Sequence, residues 1–153
     1  FLGAMLSLLV CLMFTGCSNS ETNSTSRGLT DFAHIEEEYL ATIDSLNWPD
    51  GITLPDKLED EDTGASFQVG YGETRASYLW EYSWMKEWLD TYNTDPERAE
   101  KALEELEKAF DMPYMGIDRC DDATRNYLRE NIDKAKLGDP SGFTESIRAN
   151  YAN

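Results

Sequence analysis

The chain contains 153 residues, with 13 lysines and arginines against 30 aspartates and glutamates, so its formal net charge is −17. That length predicts a single folded domain, and the charge argues against nucleic acid as a partner, because binding phosphates requires a basic surface. The content of 41% apolar and 12% aromatic residues argues against a disordered acidic tail, which would bury too little apolar surface to offset the entropy lost on ordering.

The first 16 residues differ from the rest of the chain, since they carry no charge and 12 of them are apolar. As a helix they would extend only about 24 Å, short of the ~30 Å hydrocarbon core of a bilayer. They are therefore more typical of the apolar region of a secretory signal than of a spanning helix. A complete signal begins with basic residues, and none precedes this run, so we expect the signal to be incomplete at its start.

The next residues, Phe14-Thr15-Gly16-Cys17, resemble the lipobox of bacterial lipoproteins, with Phe where Leu is more usual. In that family a signal peptidase cleaves before the cysteine, whose sulfur carries a diacylglyceryl group. The resemblance, which covers only this segment, implies that residues 1–16 are removed and that Cys17 becomes the lipidated first residue, anchored to the extracytoplasmic face of the cell membrane. An ordinary signal peptide with a chance cysteine and a truncated membrane anchor are the alternatives.

Residues 18–28 contain eight Ser, Thr or Asn in eleven positions, which predicts a flexible tether over 17–28 and a folded acidic domain over 29–153. A flexible segment of that length reaches about 18 Å. Once Cys11 is removed and Cys17 is lipidated, Cys120 is the remaining thiol, so the mature protein has no pair of thiols for an internal disulfide. The CxxC spacing of zinc and redox sites is absent, and we expect Cys120 to be a partly buried residue at a helix start.

The folded part is predicted to be helical from its spacing of apolar residues. In the first helix, apolar side chains recur at steps of three and four: Phe32, Ile35, Tyr39, Ile43 and Leu46. Thr30 or Asp31 is expected to cap its start, and Trp48-Pro49 to end it. The single histidine, His34, falls on the polar face, which argues against a catalytic triad or a multi-histidine metal site.

Glycines and prolines punctuate residues 48–72, and Asp56–Asp62 carries five carboxylates in seven residues. An EF-hand requires Glu at position 12 of its loop when Gly occupies position 6; aligning Gly64 at position 6 places Gly70 at position 12, so the match fails. A solvated acidic loop is the preferred interpretation, with low-affinity cation binding as the alternative. Gly70-Tyr71-Gly72 lacks the rest of a dinucleotide fingerprint and predicts a tight turn into the next helix.

That second helix, predicted over Glu73–Tyr92, carries the main aromatic surface, formed by Tyr78, Trp80, Tyr82, Trp84, Met85, Trp88, Leu89 and Tyr92. These side chains cover about 200° of the helical wheel, which suits a helix packed by several neighbours in a bundle. Ser83, Lys86, Glu87 and Asp90 occupy the remainder. The alternative is an exposed aromatic shelf for a glycan or a peptide.

Glu81 falls inside this aromatic arc, and a buried carboxylate must be paired, hydrogen-bonded or neutral. Tyrosine hydroxyls, tryptophan N–H groups and Arg125 are the candidate partners. The alternatives to a satisfied core residue are a pocket carboxylate that contacts a ligand and simple exposure. The candidate ligand-pocket residues are Glu81, Trp80, Trp84 and Trp88.

Three further helices complete the predicted fold. The third starts at Asp95-Pro96, with an apolar stripe and two ion pairs, Glu97–Lys101 and Glu104–Lys108. The fourth covers about Asp121–Leu137, with Tyr127, Leu128, Ile132 and Ala135 inward, and Gly138 and Pro140 end it. A short last helix carries Phe143, Ile147 and Tyr151. The sequence therefore predicts an all-α fold, a small antiparallel bundle of four main helices plus a short C-terminal helix.

The function favoured by the sequence is a non-catalytic lipoprotein of the cell envelope that acts through binding or assembly, with the lipid bilayer as a partner through acylated Cys17, which in this family carries palmitate. An envelope protein or a wall polymer is the expected further partner. The first alternative is a small envelope enzyme that uses carboxylates, among Glu81, Glu73 and Asp118, on a wall polymer; the second is a low-affinity cation-binding protein. We predict no catalytic residue, cofactor or metal site.

Overall fold

The computed structural model describes residues 28–59 and 61–151, which form a small helical bundle. Its five α-helices are α1 Phe32–Ser45, α2 Tyr71–Thr91, α3 Pro96–Glu107, α4 Asp122–Lys136 and α5 Ser141–Asn150. Two short 3-10 turns, Lys108–Asp111 and Pro113–Met115, connect α3 to α4. The predicted all-α fold is confirmed. The predicted signal over 1–16, Cys17 and the tether as far as residue 27 lie outside the described residues.

Aspartates cap three of the helices at their predicted starts. Asp31 accepts a hydrogen bond from the backbone N–H of His34 at 3.0 Å, Asp95 from that of Arg98 at 3.2 Å, and Asp121 from that of Thr124 at 2.8 Å. Each such cap contributes about 1 kcal/mol, because it satisfies an amide that has no partner within its helix.

A two-stranded antiparallel sheet, which the sequence analysis did not predict, precedes α1 and α2. Strand β1 (Leu29–Thr30) pairs with β2 (Phe67–Gln68), with Leu29 opposite Gln68 and Thr30 opposite Phe67. Two-residue strands are too short to show an alternating pattern of apolar and polar residues, so the sequence carries no signal for them. Their pairing brings the starts of α1 and α2 together.

α1 and α2 consequently run in the same direction. The amide of Gly70, just before α2, donates to Glu38 of α1. The indole of Trp80, further along α2, donates to the carbonyl of Asn47, just after α1. The long connection between these helices returns the chain to its starting end. The chain reverses direction at the short connections. Arg98, near the start of α3, pairs with Glu87, near the end of α2, and Gly142, near the start of α5, lies against Asn131 in the second half of α4.

Apolar residues form two clusters that meet at α2. The first, which we call the α1 cluster, consists of Ile35, Tyr39, Ile43, Leu58 and Ala76. The second, the tryptophan core, joins the C-terminal half of α2 to α3, α4 and α5; its largest members are Trp80, Trp84, Trp88, Tyr114 and Phe143. Within the described ranges, no helix is both long and apolar enough to cross a bilayer.

Candidate ligand-binding cavity

The start of α2 approaches α1 so closely that only glycine fits. A Cβ atom on Gly72 would lie 1.8 Å from the carbonyl oxygen of Ile35, and Gly70 has a φ of +88°, a conformation that other residues rarely adopt. The carboxylate of Glu38 accepts hydrogen bonds from the amides of Gly70, at 2.8 Å, and Gly72, at 3.2 Å. Gly70 lies in the predicted turn, but Tyr71 and Gly72 already belong to α2. The role of Glu38 was not predicted.

The acidic loop folds back over these two helices. Leu58 is buried in the α1 cluster, and its amide donates to Glu36 at 3.2 Å. Glu61 accepts a hydrogen bond from the hydroxyl of Tyr71 at 2.8 Å and pairs with the guanidinium of Arg75. In the part of the chain that the structure describes, which omits Asp60, no group of three or more His, Cys, Asp or Glu residues is placed to hold a metal ion.

A cavity of about 750 Å³ lies where the acidic loop meets α1, α2, α4 and α5. Its volume falls in the range of small-molecule sites, and its lining includes both polar and aromatic side chains. The lining residues are Tyr39, Pro55, Lys57, Leu58, Glu59, Arg75, Tyr78, Leu79, Glu81, Thr124, Tyr127, Leu128, Ser146, Asn150 and Tyr151.

Glu81 is the buried acid of this cavity, with 7% of its surface exposed. The hydroxyl of Tyr114, in the turn before α4, donates to Glu81 Oε2 at 2.7 Å; among the described residues we find no other hydrogen-bond donor to this carboxylate. Burial raises the pKa of Glu81 to about 7, although the Tyr114 hydrogen bond lowers it in part. Glu81 therefore changes its protonation state near neutral pH.

The tyrosines around Glu81 stay protonated in that pH range. Burial raises the pKa of Tyr114 well above its ordinary value, and the negative charge of Glu81 raises it further. The same two causes, in the same order, raise the pKa of Tyr151 and Tyr78. The hydroxyl of Tyr151 donates to the carbonyl of Tyr78 at 3.3 Å. Tyr78 and Tyr151 line the cavity as neutral phenols.

Arg125, one of the candidate partners of Glu81, does not pair with it. Arg125 lies in the first turn of α4, and its guanidinium turns back toward the segment before that helix. There it donates to the carbonyl of Met115 at 3.2 Å and to the carbonyl of Cys120, and it pairs with the carboxylate of Asp122. Of the other candidate donors, a tyrosine hydroxyl, that of Tyr114, supplies the hydrogen bond, whereas the indoles of Trp80 and Trp84 donate elsewhere.

The tryptophans are core residues, which confirms the favoured interpretation of the aromatic surface. The alternative, an exposed aromatic shelf, is wrong. Trp80 and Trp84 are each 1% exposed, and both indoles donate to the carbonyl of Asn47, at 2.8 and 3.1 Å. Trp88 stacks on Tyr92, with ring centroids 4.6 Å apart, and borders a separate depression of about 530 Å³. Of the four predicted pocket residues, only Glu81 lines the larger cavity, because the tryptophans lie toward α3 and the end of α1.

Other predicted candidates lie outside this cavity. Glu73 pairs with Arg119 at 2.7 Å, and neither Glu73 nor Asp118 is among the cavity-lining residues. Cys120 is partly buried just before α4, as predicted, and burial raises the pKa of its thiol. His34 is exposed and lies 3.3 Å from Glu38.

Tyr127 is the clearest of the cavity residues that the sequence placed wrongly. It was predicted to face the core, but it is 40% exposed and lines the cavity. Asn131, one helical turn later, occupies the buried position at 2% exposed, next to Gly142 of α5. Helical spacing locates the buried face of a helix only to within about one residue position. That precision is too low to distinguish a residue of the cavity wall from a residue of the core.

No protein-family model, curated protein or solved structure matches this chain.

Proposed function

We propose that this chain is a lipid-anchored, extracytoplasmic binding module of the bacterial cell envelope that holds a small ligand in the cavity beside Glu81. The observation that carries the binding role is the cavity itself, which combines about 750 Å³ of space with a buried carboxylate. Large cavities with few, convergent polar groups are the usual location of small-molecule sites.

The proposed anchor is Cys17, on the resemblance of residues 14–17 to a lipobox. One acyl chain gives only marginal membrane binding, whereas the two or more chains of a lipoprotein give stable attachment. The net charge of −17 would repel the domain from anionic lipid. The tether and this repulsion together favour a position of the domain near the membrane but away from its surface.

Binding is favoured over catalysis because the three candidate carboxylates do not converge. Glu73 forms an ion pair with Arg119, whereas Glu81 is buried and lines the cavity. Hydrolysis of a glycosidic bond requires two carboxyl groups placed on either side of it. A cavity with one buried carboxyl group is therefore better suited to binding a ligand than to hydrolysing a glycosidic bond.

Labelling with radioactive palmitate tests the anchor. The chain is expressed in a bacterial host with Met-Lys-Lys before Phe1, because secretory signals function with basic residues at their start. We expect the native protein to incorporate label and Cys17→Ala to incorporate none. Cys11→Ala and Cys120→Ala are matched controls that keep the label. An unlabelled native protein, or labelling that depends on Cys120, would refute the anchor.

Recovery of bound small molecules tests the binding role. The purified protein is incubated with an envelope extract, washed and denatured, and the released compounds are identified by mass spectrometry. Thr124 is an exposed residue that lines the cavity, so Thr124→Trp should block it, whereas Asn126→Trp on the same helix, outside the lining, should not. A compound enriched by the native protein and Asn126→Trp but not by Thr124→Trp supports the proposal. No enrichment, or equal enrichment by all three proteins, contradicts it, and a compound that is chemically altered indicates the enzyme.

A further inference from the structure

One oxygen of the Glu81 carboxylate has no hydrogen-bond donor among the described residues. Its Oε2 atom accepts the 2.7 Å hydrogen bond from Tyr114, whereas we find no such donor to Oε1. Within the same residues no cation pairs with this carboxylate, and Arg125 binds elsewhere. A buried carboxylate is stabilised most by a cation that also donates hydrogen bonds.

The cavity's own cations are already paired. The ammonium of Lys57 lies 2.8 Å from Glu59, and the guanidinium of Arg75 pairs with Glu61. Arg75 is also six residues before Glu81 on α2, a separation of about 9 Å along the helix axis. The positive charge that Glu81 lacks is therefore not supplied by the residues that line the cavity.

Four tyrosines line the same cavity as Glu81. Tyr39, Tyr78 and Tyr127 lie on α1, α2 and α4, and Tyr151 directly follows α5. The electron-rich faces of aromatic rings attract cations, most strongly where water is excluded. A carboxylate beside several tyrosines is a combination suited to an ammonium group.

We propose that the cavity binds a ligand carrying a primary ammonium group, which donates to Glu81 Oε1 while its body contacts the tyrosines. This inference rests on the proposed binding function and names the class of its ligand. The chain's net charge of −17 favours the approach of such cations.

Binding of this kind depends on pH through Glu81. The titratable groups that face it are Tyr78 on α2, Tyr114 in the turn, Tyr151 after α5 and Cys120 before α4; the negative charge of Glu81 acts on the pKa of each. Every one of these has a raised pKa and stays neutral at pH 6–8. Glu81 is the member of this group that ionises in that range.

The test uses n-butylammonium and its neutral counterpart 1-butanol, titrated by calorimetry into the purified mature protein in phosphatidylcholine nanodiscs, with empty nanodiscs as the blank. At pH 8 we expect saturable binding of butylammonium at least about tenfold tighter than that of 1-butanol. At pH 6 it should weaken about tenfold, because the ionised fraction of Glu81 falls from about nine-tenths to about one-tenth. At pH 7, titrations in two buffers should reveal release of about half a proton, since the bound cation lowers the pKa of Glu81.

Two variants assign the effect to Glu81. Glu81→Gln keeps the shape and an acceptor for Tyr114 and should lose the preference for butylammonium without a lower melting temperature. Glu130→Gln removes an exposed carboxylate on α4 that does not line the cavity and should change affinity less than twofold. Equal binding of both probes, no proton release, or a loss in Glu130→Gln equal to that in Glu81→Gln would overturn the ammonium inference.

The outcomes also separate this inference from the binding function on which it rests. If 1-butanol and butylammonium bind equally and Thr124→Trp blocks both, the cavity binds ligands and only the ammonium class is wrong. If neither probe binds and Thr124→Trp recovers the same compounds as the native protein, the binding function itself fails.

Discussion

The two ends of α2 are fixed by different chemistry. At its start, α2 is held against α1 mainly by backbone contacts: Gly72 lies against the carbonyl of Ile35, and amides donate to Glu38. Toward its end, α2 is held by the tryptophan core, where large rings exclude water and one carbonyl, on Asn47, accepts two indole N–H groups. The contact between α1 and the start of α2 leaves almost no space for an added atom. The stability of the tryptophan core, in contrast, depends on the area of the buried rings. The cavity lies between the two, where neither kind of contact fills the space.

Removal of a ring from the tryptophan core should have the largest effect. Trp84 is 1% exposed, and Trp84→Ala should lower the free energy of unfolding by about 3–5 kcal/mol, because it opens a cavity and removes a large apolar side chain. Trp84→Phe is the control, which keeps much of the ring area. Chemical denaturation measures both. If Ala and Phe are equally costly, the hydrogen bond to Asn47, and not ring area, stabilises this end.

The opposite change, addition of one methyl group, tests the α1 end. Gly72→Ala should lower the free energy of unfolding by about 3 kcal/mol, because the new Cβ atom collides with backbone that has little freedom to move. Gly28→Ala is the matched control, since a Cβ atom there meets nothing within 4 Å, and it should leave the melting temperature nearly unchanged. A Gly72→Ala protein as stable as the native one would show that α1 can move away from α2 at little cost.

The region between the two ends should show a pH-dependent stability, with the smallest effect of the three. The folded protein holds the Glu81 proton up to about pH 7, whereas the ordinary pKa is 4.5, so the native state binds more protons between these values. The unfolding free energy therefore falls as the pH rises through this window. Glu81→Gln lacks this contribution, and its stability relative to the native protein should rise by about 2–3 kcal/mol from pH 5 to pH 8. Denaturant titrations at several pH values measure the difference in unfolding free energy between Glu81→Gln and the native protein. If this difference does not change with pH, Glu81 is in contact with water and its pKa is not raised.

Much of the fold was predictable because its signals are local. The caps Asp31, Asp95 and Asp121 each act within three residues of their own position, and their helices begin where the sequence indicates. The burial of the tryptophans follows from the width of the aromatic arc on one helix. The predicted Glu104–Lys108 pair is wrong, since Lys108 pairs with Glu105, a choice between two neighbouring acids that spacing does not decide. Ser83 was placed on the polar face but is buried, with its hydroxyl donating to the carbonyl of Leu79.

The candidate site was less predictable because its contacts join distant parts of the chain. Helical geometry places Glu81 inside the aromatic arc, but its partner Tyr114 is 33 residues away in a turn. Glu38 was assigned no role, since its contacts depend on the parallel arrangement of α1 and α2. The cavity itself is a space left where four helices and a loop meet, and the periodicity within one segment does not indicate such a gap.

The clustering of indole hydrogen bonds at the end of α1 also has a spectroscopic consequence. Three of the chain's four tryptophans donate to carbonyls there: Trp48 to Ile43, and Trp80 and Trp84 to Asn47. Indole fluorescence shifts to longer wavelength when water replaces an apolar environment, so separation of α1 from α2 would change the emission of all three together. The protein therefore carries its own optical reporter of α1 docking, which needs no added label.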